Sequence, residues 1–234
     1  MEGFLAFAKG PLFRLTFALM VLGLLRVFML DIWGIIEAYR KSADKNIPWG
    51  LTVSRTLEWI IPLKRLFHNR PVYSVISIFF HIGLIITPLF LYAHVALWRE
   101  GLGFGWFTLS KGAADVLTVV AVVTALLLFI GRLANEASRS ISRKQDILWP
   151  LVLSLPFVTG FICANGAVSA AAYQWFMLVH ILSAELVFVL IPFTKIAHCV
   201  LQPLGAVIGM IAWRFPEETD ETVCTTLNKK GAPV

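Results

Sequence analysis

Residues 173–200 read YQWFMLVHILSAELVFVLIPFTKIAHCV, an apolar run carrying His180 near its start and His198 near its end. Apolar windows of about 18 residues or more are long enough to cross a bilayer as a helix. Four other stretches qualify by the same measure: about 11–34, 72–97, 111–133 and 147–166. The expectation is an all-α bundle of five transmembrane helices filling residues 1–213, followed by a polar tail, 214–234. Composition agrees. Of the 234 residues, 58% are hydrophobic and 15% charged, against about 25% charged in a soluble domain. The first stretch does not read as a cleavable signal, because its apolar core is long and no small-residue cleavage site follows.

The net charge of +6 is unevenly spread. The connection 31–71 holds Arg40, Lys41, Lys45, Arg55, Lys64, Arg65 and Arg70, and the next connection on the same side holds Arg132, Arg139, Arg143 and Lys144. The tail adds Arg214, Lys229 and Lys230. The opposite side carries Lys9, Arg14, Arg99 and Lys111. Basic residues collect on the cytoplasmic side of membrane proteins, which puts the N-terminus outside and the C-terminus in the cytoplasm. The basic excess therefore reads as topology and not as a nucleic-acid surface. Within 31–71, residues 51–67 alternate apolar and charged side chains, as in a helix lying on the inner membrane surface. Trp98, Trp106, Trp149 and Trp175 fall near span ends, where interfacial aromatics collect. Cys163, Cys199 and Cys224 form no CxxC or CxxCH pattern, so iron–sulfur, c-type haem and disulfide frameworks are not expected.

Four of the five histidines, His81, His94, His180 and His198, fall in or at the ends of spans two and five. His68 lies outside, beside Asn69 and Arg70, and reads as a surface residue. A histidine inside a membrane is rare and costly, and is a functional candidate for that reason. The plain alternative is a histidine bonding a neighbouring helix. On one continuous helix, 18 residues at ~100° each would set His180 and His198 on the same face, ~27 Å apart. Spans two and five run antiparallel, so His81 meets His198 at the inner end and His94 meets His180 at the outer end. Two bis-histidine haems, one near each membrane face, follow as the expected cofactors. The 13 residues between His81 and His94 fit less simply, because an ideal helix would turn them ~140° apart. Pro88 between them is a place for a kink.

These residues resemble the gamma (cytochrome b) subunit family of respiratory nitrate reductase. The family includes the membrane cytochromes of sulfate-reducer redox complexes and the haem b subunit of heterodisulfide reductase. The resemblance rests on Phe80-His81-Ile82-Gly83, on the 18-residue His180–His198 spacing, and on Ile191-Pro192-Phe193-Thr194-Lys195 ahead of His198. Asp146-Ile147-Leu148 at span four and Arg26 at the end of span one are also similar. The longer His81–His94 spacing departs from nitrate reductase itself and leaves the terminal substrate open. The resemblance implies two b haems held by His81 with His198 and His94 with His180, in the cell inner membrane. It also implies quinol chemistry near the outer haem and electron transfer to a cytoplasmic iron–sulfur subunit docked on 31–71, 132–146 and the tail.

Other polar residues have paired readings. Arg26 and Lys195 suit either a haem propionate or the inner headgroups. Glu185 suits a proton-carrying role at a quinone site or an interhelical bond. Lys111 and Asp115 sit at the outer start of span three, and Lys111 resembles the family's quinol-site lysine in rough position. Thr87, Ser183 and Asn165 read as interhelical polar residues. Three further functional readings stay open: a haem b conduit to a periplasmic cytochrome c without its own quinone site, a four-helix hydrogenase-type cytochrome, and a haem-free proton-conducting anchor or transporter. Five spans argue against the second, and the lack of inverted repeats argues against a transporter.

Overall fold

The computed structural model describes residues 1–60, 71–212 and 219–229. Among them the ordered elements are helical. They are α1 (Glu2–Phe7), α2 (Phe13–Lys41), α3 (Trp49–Ile60), α4 (Pro71–Phe90), α5 (Tyr92–Leu102), α6 (Lys111–Ala134), α7 (Glu136–Ile141), α8 (Lys144–Asn165), α9 (Ala170–Leu190), α10 (His198–Ala212) and α11 (Thr219–Thr226). A single π turn, Ala8–Leu12, joins α1 to α2. The chain forms two compact units, Met1–Phe17 with Lys64–Phe188, and Ala18–Leu63 with Val189–Val234.

In the first unit α6 packs on both α4 and α8. Its buried residues Ala114, Thr118, Ala121, Thr124, Ala125 and Leu128 follow a three-to-four-residue repeat, which makes one stripe. Five of the six are small. Helices in lipid gain little from the hydrophobic effect and associate through close backbone packing instead, which small residues allow. Gly83 of α4 sits at the tightest point. A Cβ there would lie 2.8 Å from the Ala121 Cβ and 2.8 Å from the Leu117 carbonyl oxygen. The threonines of the stripe do not need partners on other helices: Thr118 donates to the Ala114 carbonyl at 2.7 Å and Thr124 to the Val120 carbonyl at 2.6 Å. Cross-links close both ends, with Asn165 donating to Asp115 at 2.9 Å and Arg132 to the Tyr73 hydroxyl at 3.3 Å.

The outward surface is apolar. Val72, Val116, Ile130 and Leu148 are each more than half exposed. A water-soluble protein keeps such side chains from covering whole helix faces, whereas a bilayer is their proper solvent.

In the second unit α3 packs along α10, with Ile47, Thr52 and Ile211 buried. The far side of α3 exposes Leu51, Val53 and Leu57. Of the helix expected at 51–67, the part to Ile60 is helical, within Trp49–Ile60, and residues 61–67 lie outside the described residues. Lys45 caps the C-terminus of α2 by donating to the carbonyls of Tyr39 at 2.6 Å and Arg40 at 2.9 Å.

Six segments are long and apolar enough to cross a membrane: Glu2–Lys41, Pro71–Phe90, Lys111–Ala134, Lys144–Asn165, Ala170–Phe193 and Lys195–Ala212. That differs from the five expected, because the stretch 173–200 is not one helix. Pro192 has no N–H to donate, its ring crowds the carbonyl four residues back, and the residue before a proline avoids the α conformation. Helix α9 therefore stops at Leu190, and two short 3₁₀ turns flank an extended Thr194 (φ −130°, ψ −177°). Thr194 donates to the Leu190 carbonyl at 2.7 Å and accepts from the Ile196 amide at 3.3 Å. It satisfies the end of one helix and the start of the next turn. His180 and His198 therefore stand on different helices, and the single-helix reading of their spacing is corrected.

Candidate functional site

Span two breaks as well. Helix α4 ends at Phe90, and Leu91 takes an extended conformation (φ −67°, ψ 131°) before α5 begins. A helix end leaves four carbonyls without intrahelical donors. Here each has a named one. The Leu91 amide donates to Thr87 at 3.0 Å, and the Leu109 amide to Phe90 at 2.9 Å. Trp106 Nε1 donates to the Leu89 carbonyl at 2.7 Å, and His94 Nδ1 to the Pro88 carbonyl at 3.0 Å. The ~140° estimate for His81 and His94 assumed one straight helix. The break at Leu91 removes that assumption and aims His94 from α5 instead.

His94 meets His180 of α9. The ring centroids lie 6.1 Å apart with an interplanar angle of 16°. His180 Nδ1 donates to the Pro156 carbonyl of α8 at 2.8 Å. A carbonyl only accepts, so both Nδ1 atoms carry the proton, and the lone pair of each neutral ring is on Nε2. Neither Nε2 has a hydrogen bond among the described residues. Metal-binding histidines are commonly held in this way, with one nitrogen donating to a carbonyl and the other left to the metal. Two imidazoles sharing one metal ion at about 2.0–2.1 Å each have centroids on the order of 6 Å apart. The separation of the His94 and His180 rings is of that order. Trp98 lies one turn beyond His94 on α5. It meets Phe17 edge-on at 5.4 Å, and Phe17 meets Phe188 at 6.1 Å.

His81 and His198 show the same local device. His81 Nδ1 donates to the Ser77 carbonyl at 2.7 Å, with its ring edge-on to Phe80. His198 Nδ1 donates to the Lys195 carbonyl at 3.0 Å. His81 belongs to the first unit and His198 to the second. His68 lies outside the described residues.

The other candidates separate by environment. Lys111 is exposed in the first turn of α6. Asp115 is occupied by Asn165. Glu185 is buried at 3% exposure, and neither carboxylate oxygen has a hydrogen-bond partner among the described residues. Five residues from His180 turn it ~140° around α9, onto the face of Leu178. The Thr87 hydroxyl is also buried with no partner among the described residues, while Ser183 donates to the His180 carbonyl. Arg26 and Lys195 are exposed in the second unit. Sequence reasoning missed the two prolyl carbonyls and Gly160, which lies against His180. Of these only Gly160 carried a residue-type signal, as a glycine within span four.

These features define a multi-pass helical membrane protein with a paired-histidine site. The chain belongs to the same family as a protein of Nitratidesulfovibrio vulgaris whose description names no activity. The two are 32% identical over 200 residues, covering 84% of this chain and 87% of that protein. No family model matches the chain, and no solved structure matches it.

Proposed function

We propose that the chain is a dihaem b membrane subunit of a respiratory oxidoreductase complex. It carries electrons between the membrane quinone pool and an iron–sulfur partner subunit. The observation that carries this reading is the His94–His180 pair, with centroids 6.1 Å apart and each Nδ1 bound to a backbone carbonyl. His94 and His180 hold one haem in this reading, and His81 and His198 the other. A bound haem b supplies a one-electron iron couple. The chain's own residues fix the imidazole orientations through their carbonyl partners. Glu185 is the preferred proton-handling group at the quinone site, because Asp115 is engaged and Lys111 is exposed.

The reading keeps five spans in the cell inner membrane, N-terminus outside. One feature supports treating α10 as an inner-side helix and not a sixth span: it packs along α3, a helix of the basic connection.

The test is the visible spectrum of the purified chain. Reduction should bring up the α and Soret bands of haem b at two haems per chain. A chain that binds no haem when expressed with ample haem supply refutes the proposal.

A further inference from the structure

Gly160 lies on α8 one turn after Pro156. In an α-helix a side chain covers the turn N-terminal to its own Cα, so a residue at 160 would overhang the Pro156 carbonyl. Glycine leaves that carbonyl open, and the His180 imidazole occupies the space. A Cβ at position 160 would stand 2.9 Å from His180 Cε1 and 3.0 Å from His180 Nδ1. Real Cβ atoms do not approach that closely, and the atoms in the way belong to the ring itself. That ring is held by Nδ1 at 2.8 Å from the Pro156 carbonyl, so it cannot move aside and keep its bond.

We infer that Gly160 is a positioning residue for the His180 ligand, setting the tilt of its imidazole and its hydrogen bond to the Pro156 carbonyl. This rests on the haem reading above. The donated Nδ1 proton makes the ring a stronger ligand, and ligand strength and orientation tune the potential of the iron. Gly160 therefore acts on the haem of His94 and His180 and leaves the other alone. Its effect differs from that of a general packing residue, which would disturb both sites or neither.

The experiment compares the full-length wild-type chain with Gly160→Ala by redox titration of the α band and by low-spin haem EPR. The expected result is that one of the two components shifts or disappears, while the other keeps its potential and amount. Two unchanged components, or two components shifted alike, overturn the inference. If Gly160→Ala is not recovered in membranes, the same seat is probed without the tethered ring. His180→Gly is supplied with free imidazole, which should restore the lost component. In His180→Gly with Gly160→Ala the restoring concentration should rise at least tenfold. Equal restoration in the two backgrounds overturns the inference. A wild-type chain without haem b would instead refute the parent reading, so the two failures are separable.

Discussion

Two glycines of the first unit look alike in sequence and serve different neighbours. Gly83 faces the backbone of α6, where an added Cβ would meet Ala121 and the Leu117 carbonyl at 2.8 Å. Gly160 faces a side chain, where an added Cβ would meet the His180 ring at 2.9 Å. The first lets two helices approach and so belongs to the fold. The second lets an imidazole approach and so belongs to the site. The general point is that a short distance alone does not assign a role. What the missing Cβ makes room for does. The comparison also explains why the helices behave differently. Around Gly83, α4, α6 and α8 are continuous and packed through small residues. Around the histidines the chain breaks at Leu91, and the imidazoles are held by carbonyls that helix packing leaves accessible.

The largest effect should come from removing the site and sparing the packing. His180→Ala and His94→Ala should each lower the haem content from two per chain to one, with protein yield and helical circular dichroism close to wild type. Retention of both haems in either variant would break the assignment of this pair. Next in size is Gly83→Ala. Overpacking typically costs about 1–3 kcal/mol, and for a chain of this size each kcal/mol lowers the melting temperature by about 2–4 °C. The melting temperature in detergent should fall while both haem components keep their potentials. If Gly83→Ala shifts one potential selectively, the division between fold glycine and site glycine fails.

Much of the fold was legible because the bilayer imposes a length on each apolar run. The span 111–133 matches Lys111–Ala134 almost residue for residue, since Ser110 caps its start and Asn135 leaves the helix at its end. The span 147–166 matches Lys144–Asn165 to within three residues. The misreadings fall where the hydropathy runs on but the backbone does not. Leu91 and Thr194 both lie inside apolar stretches, and both follow a proline, Pro88 and Pro192. A hydropathy window registers the transfer of side chains and is blind to a missing N–H. The histidines were legible by their rarity in such surroundings. Their carbonyl partners were not, because a backbone acceptor carries no residue-type signal.

The smallest of these effects concerns the other break, in the second unit. If the His94 break is a device of the site, the Thr194 break is a device of the chain path, held by one hydroxyl that donates to Leu190 and accepts from Ile196. Thr194→Val keeps the shape and removes both bonds, stranding the Leu190 carbonyl. A lost hydrogen bond of this kind costs about 1 kcal/mol net, rising to about 1–3 kcal/mol when a buried partner is left unsatisfied. Thr194 is half-buried, so the lower end applies, and the melting temperature should drop by about 2–4 °C. Thr194→Ser keeps the hydroxyl and should stay near wild type. Because Thr194 separates His180 from His198 without bonding either, the component assigned to His94 and His180 should hold its potential in both variants. Equal melting temperatures for the valine and serine variants would mean that the break is enforced by Pro192 alone. The hydroxyl would then be a passenger on a turn the proline already dictates.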